Sequence, residues 1–183
     1  MKLWLVLALA LAGPALGQVP PEPEGYRGPP YAAPVPDTLA GATVVDNQAA
    51  AALHREGKAV FIDVMPRDVK PADLPEGTIW RDKPRDSIPG SIWLPNTGFQ
   101  SLSPEEEAYL RAGLEQATNG NRDQDIVVFC RADCWMSWNV AKRALEFGYR
   151  QVIWYPEGPE GWVTLPTNPP LVRVEPFQAG LRG

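Results

Sequence analysis

The chain has 183 residues with a formal net charge of −5, one histidine and two cysteines, and an acidic balance of this kind offers no cationic face to a phosphate backbone, which excludes nucleic acid as a partner. Two cysteines are too few for a disulfide framework. With a single histidine they also exclude a tetrahedral zinc site from these residues alone, and the absence of Cys-x-x-Cys-His excludes covalently attached haem.

In chain order, Lys2, the apolar run Leu3 to Ala12 and the small residues Ala15-Leu16-Gly17 have the form of a secretory signal peptide over residues 1–17, cut before Gln18. About ten apolar residues cover half of the roughly 20 that a membrane span requires, and no later run is longer. Cleavage removes Lys2 and changes the net charge from −5 to −6. The mature chain is expected to be exported to the periplasm without a membrane span. Residues 18–40 follow, with Pro20, Pro21, Pro23, Pro29, Pro30, Pro34 and Pro36. They read as an extended arm or linker with little to bury.

Periodic structure begins with a domain expected over residues 41–165. Thr43 to Val45 is a short strand, Asp46 caps a helix over Asn47 to Glu56, and Gly57 ends it. Ala59 to Val64 is a buried strand that places Asp63 near its end. The proline-broken stretch from Met65 to Ser87 has no period and reads as a surface excursion. Ile88-Pro89-Gly90 is a turn, and Ser91 to Leu94 a further strand. Ser103, Pro104, Glu105 and Glu106 open a helix that runs to about Ala117. Asp125 to Phe129 is the strongest strand, Cys130 to Met136 a loop, Ser137 to Phe147 a helix ended by Gly148, and Gln151 to Trp154 the last strand. Leu171 to Val174, in a tail over 166–183, could add an edge strand but is too short to decide. Strands alternating with helices predict an α/β fold with a mostly parallel central sheet and helices on both faces. Ligand sites of such folds lie beyond the carboxyl ends of the strands, where Cys130 falls.

A thiol at the end of a buried strand, ahead of a helix, faces free backbone N–H groups and the positive end of the helix dipole, and both favour thiolate. The bland alternative is a small apolar core residue. Cys134, four residues on, adds redox chemistry, because two thiols in one loop can close a disulfide or resolve a mixed disulfide. Arg131 favours a thiolate at Cys130 and Asp133 disfavours one at Cys134. Cys130 is therefore expected to attack and Cys134 to resolve. Trp135, within the loop, is assigned to the site, whereas Trp138, Trp154 and Trp162 suit core packing. Asp63 could point at the loop, although such a residue more often bonds backbone N–H groups or an arginine such as Arg67. His54, remote in sequence, reads as a surface residue. The cysteine pair could hold Cu(I) only with a further ligand, for which Met136 is available, and Met65 if the end of the Asp63 strand lies nearby. Copper is not favoured, and no metal is assigned.

The segments Phe61-Ile62-Asp63-Val64, Ser87 to Pro95, Val127 to Arg131, Ala144 to Tyr149 and Gly158 to Trp162 resemble, in order and spacing, the landmarks of a rhodanese domain over about residues 43 to 163. Within that superfamily, Cys130-Arg131-Ala132-Asp133-Cys134-Trp135 resembles the PQQ-dependent catabolism-associated CXXCW motif proteins. The resemblance implies that Cys130 carries sulfur, with a persulfide as the bound species and the amides of Arg131, Ala132, Asp133, Trp135 and Met136 as its cradle. It also implies a periplasmic quinoprotein dehydrogenase, or that enzyme's electron or thiol partner, as the protein served. Three features depart from the rhodanese pattern. Ser87 stands where a histidine commonly precedes Ile-Pro-Gly, Trp135 and Met136 replace the arginine at the loop's far end, and the loop is one residue longer. The missing arginine also argues against phosphatase activity. The functional expectation is thiol, persulfide or disulfide handling, by a thiol-disulfide oxidoreductase or a sulfurtransferase. The alternatives are a non-catalytic partner-binding module with a structural disulfide and a Cu(I) or redox-cofactor carrier.

Overall fold

Three apolar runs without polar alternation, as strands covered on both faces require, form the centre of the computed structural model. It describes residues 19–180 apart from Val69. The signal peptide expected at 1–17 lies outside the described residues, and no helix among those described is long and apolar enough to cross a membrane. The elements in chain order are β1 (Thr43–Val44), α1 (Asn47–Glu56), β2 (Val60–Asp63), β3 (Arg85–Ser87), β4 (Ile92–Trp93), α2 (Pro104–Thr118), β5 (Ile126–Phe129), α3 (Trp135–Glu146), β6 (Val152–Trp154), α4 (Gly158–Trp162) and β7 (Val172–Val174).

Strands β1, β6, β5, β2 and β4 lie side by side in that order, every pair parallel. The α/β fold expected from the alternation is the one observed. Alternate residues of β5 face opposite layers. Ile126, Val128 and Cys130 pack with Leu110 and Leu114 of α2 and Trp138, Val140, Ala141 and Ala144 of α3. Val127 and Phe129 pack with Ala50 and Ala51 of α1 and Trp162 of α4. The register pairs Asp63 with Phe129, so Asp63 and Cys130 emerge at the same edge of the sheet.

The helix ends follow from local chemistry. Asp46 accepts the Ala49 N–H at 2.9 Å, and Gly57, at φ 65°, closes α1. Ser103 and Glu106 form a reciprocal capping box at the start of α2. Helix α3 begins at Trp135, two residues before the expected start, and so includes part of the predicted loop.

Three segments differ from their sequence-based reading. The excursion after Met65 contains β3, which pairs antiparallel with β7 of the tail. A strand within Leu171 to Val174 therefore forms, but in a separate two-stranded sheet. Residues Gly158 to Trp162, read only as a landmark, form α4.

The proline-rich arm, expected to bury little, is docked along α3. Leu39 is buried, and Tyr31, Ala33 and Val35 pack against the main core cluster. Prolines keep this stretch extended and leave its remaining backbone groups free to bond elsewhere. Asn139 uses that freedom. Its Nδ2 donates to the carbonyls of Arg27 and Gly98, both at 2.9 Å, and its Oδ1 accepts the Arg27 N–H at 2.9 Å. Trp138 Nε1 donates to Thr38 O at 3.2 Å, and the Arg143 guanidinium lies 3.8 Å from the Tyr26 ring centroid.

Asn139 makes two of the bonds between arm and domain, both to Arg27, so Asn139→Ala should cost about 2 kcal/mol or more through unpaired buried groups. Trypsin cleavage after Arg27 should speed up by about tenfold or more as the arm opens locally. Denaturant melts together with a timed digest check both.

Candidate functional site: the cysteine loop

Strand β5 ends inside the core and leaves Cys130 fully buried, while Cys134, 4% exposed, occupies the position just before α3. The turn between them is tight, with Asp133 in the left-handed region at φ 50°. Gly158 of α4, at φ 53°, closes against it: a Cβ there would stand 3.0 Å from Cys130 O. A side chain would push the loop out of place. Both cysteines are free thiols, near enough on one turn for each to shift the other's titration.

Burial pushes the Cys130 thiol well above its ordinary range. The adjacent Cys134 sulfur and the Asp63 charge push it further, against the pull of the Arg131 N–H. Cys134 is lowered to about 7, first by the Cys130 S–H and then by the N–H groups of Met136, Arg131 and Ser137, which together outweigh burial. These N–H groups act as polarising contacts, since Cys134 makes no side-chain capping bond of ordinary length. These directions favour a thiolate at Cys134 over Cys130, where the flanking charges favoured Cys130. The flanking charges that suggested otherwise sit on the exposed side chains of Arg131 and Asp133, where solvent screens them. The Cys130 side chain acts first on Cys134, and the backbone N–H groups add to it.

The cradle expected from Arg131 to Met136 is only partly available. Ala132 N–H donates to the Glu160 carboxylate at 3.2 Å, and Trp135 N–H to Tyr31 O at 2.9 Å. With Ala33 N–H donating to Asp133 O at 3.0 Å, the arm forms an antiparallel bridge at Ala32 and Cys134 and straps the loop. Trp135, assigned to the site, is buried under this strap, edge-on to Trp138 at 5.7 Å and with the Arg27 guanidinium 5.7 Å from its ring centroid. Met136 is buried at the start of α3, where a Cβ on Gly98 would stand 2.4 Å from its Cβ. Its N–H faces Cys134.

Asp63, fully buried, is held by three donors: Arg85 Nε at 2.8 Å and Ser87 Oγ at 2.6 Å on one oxygen, and Met65 N–H at 2.9 Å on the other. Burial raises its carboxyl pKa against the pull of these partners. Its arginine is Arg85 rather than Arg67, which pairs with Asp82. Arg85 also donates from Nη2 to Cys130 O at 3.1 Å and so ties Asp63 to the loop. Met65 brings its Sδ to 3.6 Å from Cys130 Sγ. His54, expected at the surface, is half-buried. It contacts Pro89 O at 2.8 Å and packs edge-on against Phe61 and Trp162, on the opposite side of the sheet from the sulfurs.

Sequence reasoning missed the strap at Tyr31 to Ala33 and the role of Arg85. For the strap no signal was readable, because its contacts are backbone to backbone. For Arg85 the signal was its place two residues before Ser87, on the same face of a strand.

A parallel α/β sheet with a sulfur-bearing loop at its carboxyl edge defines a sulfurtransferase-like or redox-related module. The family model for the Rhodanese-like domain matches residues 46–165, well over half of the chain, and the chain belongs to that family. Comparison with curated proteins finds no match.

The depressed pKa of Cys134 gives a measurable signature. Thiolate absorbance near 240 nm should rise with a midpoint near pH 7, vanish from that range in Cys134→Ser, and move upward in Cys130→Ala, which removes the S–H donor. An unfolded cysteine titrates near about 8.5, so between about 7 and 8.5 the unfolded chain holds the extra proton and the reduced protein gains stability as pH rises. Above that window Cys130, whose folded pKa is raised, opposes any further gain.

Proposed function

We propose that this chain is an exported thiol-disulfide exchange module that works in the periplasm in support of PQQ-dependent alcohol oxidation. The observation that carries the exchange chemistry is the placing of Cys130 and Cys134 on one tight turn, with N–H groups of Arg131, Met136 and Ser137 directed at one of them. The compartment and the link to quinoprotein enzymes rest on the signal-like N-terminus and on the Cys-x-x-x-Cys-Trp loop.

The Cys134 thiolate attacks one sulfur of a partner disulfide, forming a mixed disulfide and expelling the partner's first thiolate. Cys130 then loses its proton to solvent and attacks the Cys134 sulfur. The Cys130–Cys134 disulfide forms, and the second partner thiolate leaves. The pair is oxidised by two electrons and the partner disulfide is reduced to two thiols, with the reverse sequence available to a partner dithiol. Cys134 is 4% exposed, so the strap over residues 31–33 lifts before a partner sulfur reaches it. The partner in this reading is a periplasmic quinoprotein dehydrogenase or its electron or thiol partner.

A persulfide on Cys130 fits less well. Two of the amides that would cradle it are bonded to Glu160 and Tyr31, Met136 N–H faces Cys134, and Arg131 N–H is shared between the two sulfurs.

Alkylation and mass spectrometry across a series of redox buffers test this reading. The pair should open reversibly within the range of known exchange proteins, roughly −120 to −270 mV. Cys130→Ser should trap a mixed disulfide on Cys134, while Cys134→Ser should react at least about tenfold more slowly, as expected when the thiolate is lost. A disulfide that stays closed until the fold melts would instead indicate a structural staple in a binding module.

A further inference from the structure

We propose that the loop also binds a single Cu(I) ion, held between the thiolates of Cys130 and Cys134 and the thioether of Met65. This goes beyond thiol exchange and holds whether or not the pair cycles as a disulfide.

Two sulfurs are in contact, and the third lies on the same tight turn. Met65 Sδ stands 3.6 Å from Cys130 Sγ, and Cys134 lies near enough to shift the titration of Cys130. The thioether is fixed by its own backbone, since Met65 N–H donates to Asp63 Oδ1 at 2.9 Å and Met65 O accepts Trp93 Nε1 at 2.7 Å. A sulfur on a flexible side chain is thereby anchored beside the strand end.

The neighbouring chemistry selects the metal. Among the described residues no three of His, Cys, Asp and Glu gather in a way that could hold an ion. Asp63, the nearby carboxylate, has both oxygens bonded to Met65, Arg85 and Ser87. The third ligand is therefore a thioether, and a set of two thiolates and a thioether suits Cu(I) over Zn(II), which takes four ligands from thiolate, imidazole and carboxylate. Both cysteines are buried, whereas Met65 is half-buried and forms the cluster's outer edge.

Binding needs no change of oxidation state. The two thiols release two protons to solvent, three Cu–S bonds form, and the centre carries a net charge of −1. The N–H groups directed at Cys134 lie against that charge, and Arg85, bonded to Cys130 O, adds a nearby cation.

The test is an anaerobic titration of the reduced mature chain with Cu(I) in competition with bathocuproine disulfonate, joined to X-ray absorption of the loaded protein. One Cu(I) per chain with three sulfur ligands is expected. Met65→Leu, a volume-conserving change, should lower the affinity by at least about tenfold while leaving the redox potential of the cysteine pair, measured with chelator present, unchanged. Cys134→Ser should abolish retention. The proposal is overturned if the wild-type chain retains no Cu(I), if absorption shows only two sulfurs, or if Met65→Leu binds as tightly as wild type. Because the potential is read without metal, failure here leaves the thiol-exchange reading standing, and a pair that will not cycle leaves the copper result to be judged alone.

Discussion

A carboxylate taken wholly out of water must find partners, and the way Asp63 meets that demand organises the end of the sheet. Its two oxygens draw Arg85 and Ser87 from β3 and the Met65 N–H from the turn after β2. Arg85 passes the constraint on to Cys130 through the backbone carbonyl, and the Met65 bond sets the thioether beside the Cys130 sulfur. Removing the carboxylate would leave a mostly buried guanidinium and a buried hydroxyl without their acceptor, a far larger cost than the loss of a surface pair. Ser87, standing where rhodanese domains commonly have histidine, serves this network as a short donor. Its role here is structural.

The second constraint is the disposal of one proton between two buried thiols. A core position resists charge, so burial raises the thiol deepest in the core, Cys130. Cys134 sits before a helix, and the N–H groups of Met136 and Ser137 in its first turn favour an anion there. The loop thus uses its own second cysteine as the anion its amides attract. An open cradle would have to hold those amides ready for an external ligand. Here Ala132 and Trp135 give theirs to Glu160 and to the strap.

The central fold could be read in the sequence because its signals are local. The β5 run and the caps at Asp46 and Ser103 each declare themselves within a few residues. The landmarks from Phe61 to Trp162 placed the cysteine loop at the carboxyl edge without help from distant contacts. What could not be read depends on separation. The strand β3 has the sequence Arg-Asp-Ser, with no apolar pattern, and exists because β7 pairs with it from the tail. The strap is held by carbonyls and N–H groups, which carry no residue signature. The balance of charge between Cys130 and Cys134 is not legible in the neighbouring charges of Arg131 and Asp133, because depth of burial and the direction of backbone N–H groups are properties of the folded chain.

The docked arm completes the logic of the site. A thiolate of depressed pKa reacts readily with any disulfide or oxidant that reaches it. Burying it at 4% exposure beneath a strap of two backbone hydrogen bonds makes reactivity depend on opening rather than on intrinsic nucleophilicity. Each such bond contributes only about 0.5–1.5 kcal/mol net, so the bonds at residues 31–33 alone form a shallow barrier that a partner's own contacts can offset. The rest of the arm is tied more firmly, through Asn139, Trp138 and Arg143. A cover that is weak directly over the sulfurs and strong on either side lets the loop open locally while the arm stays attached. That combination restricts access by size and contact more than by time, and it favours a protein partner able to displace Tyr31 and Ala33 over a small oxidant that makes no contacts of its own.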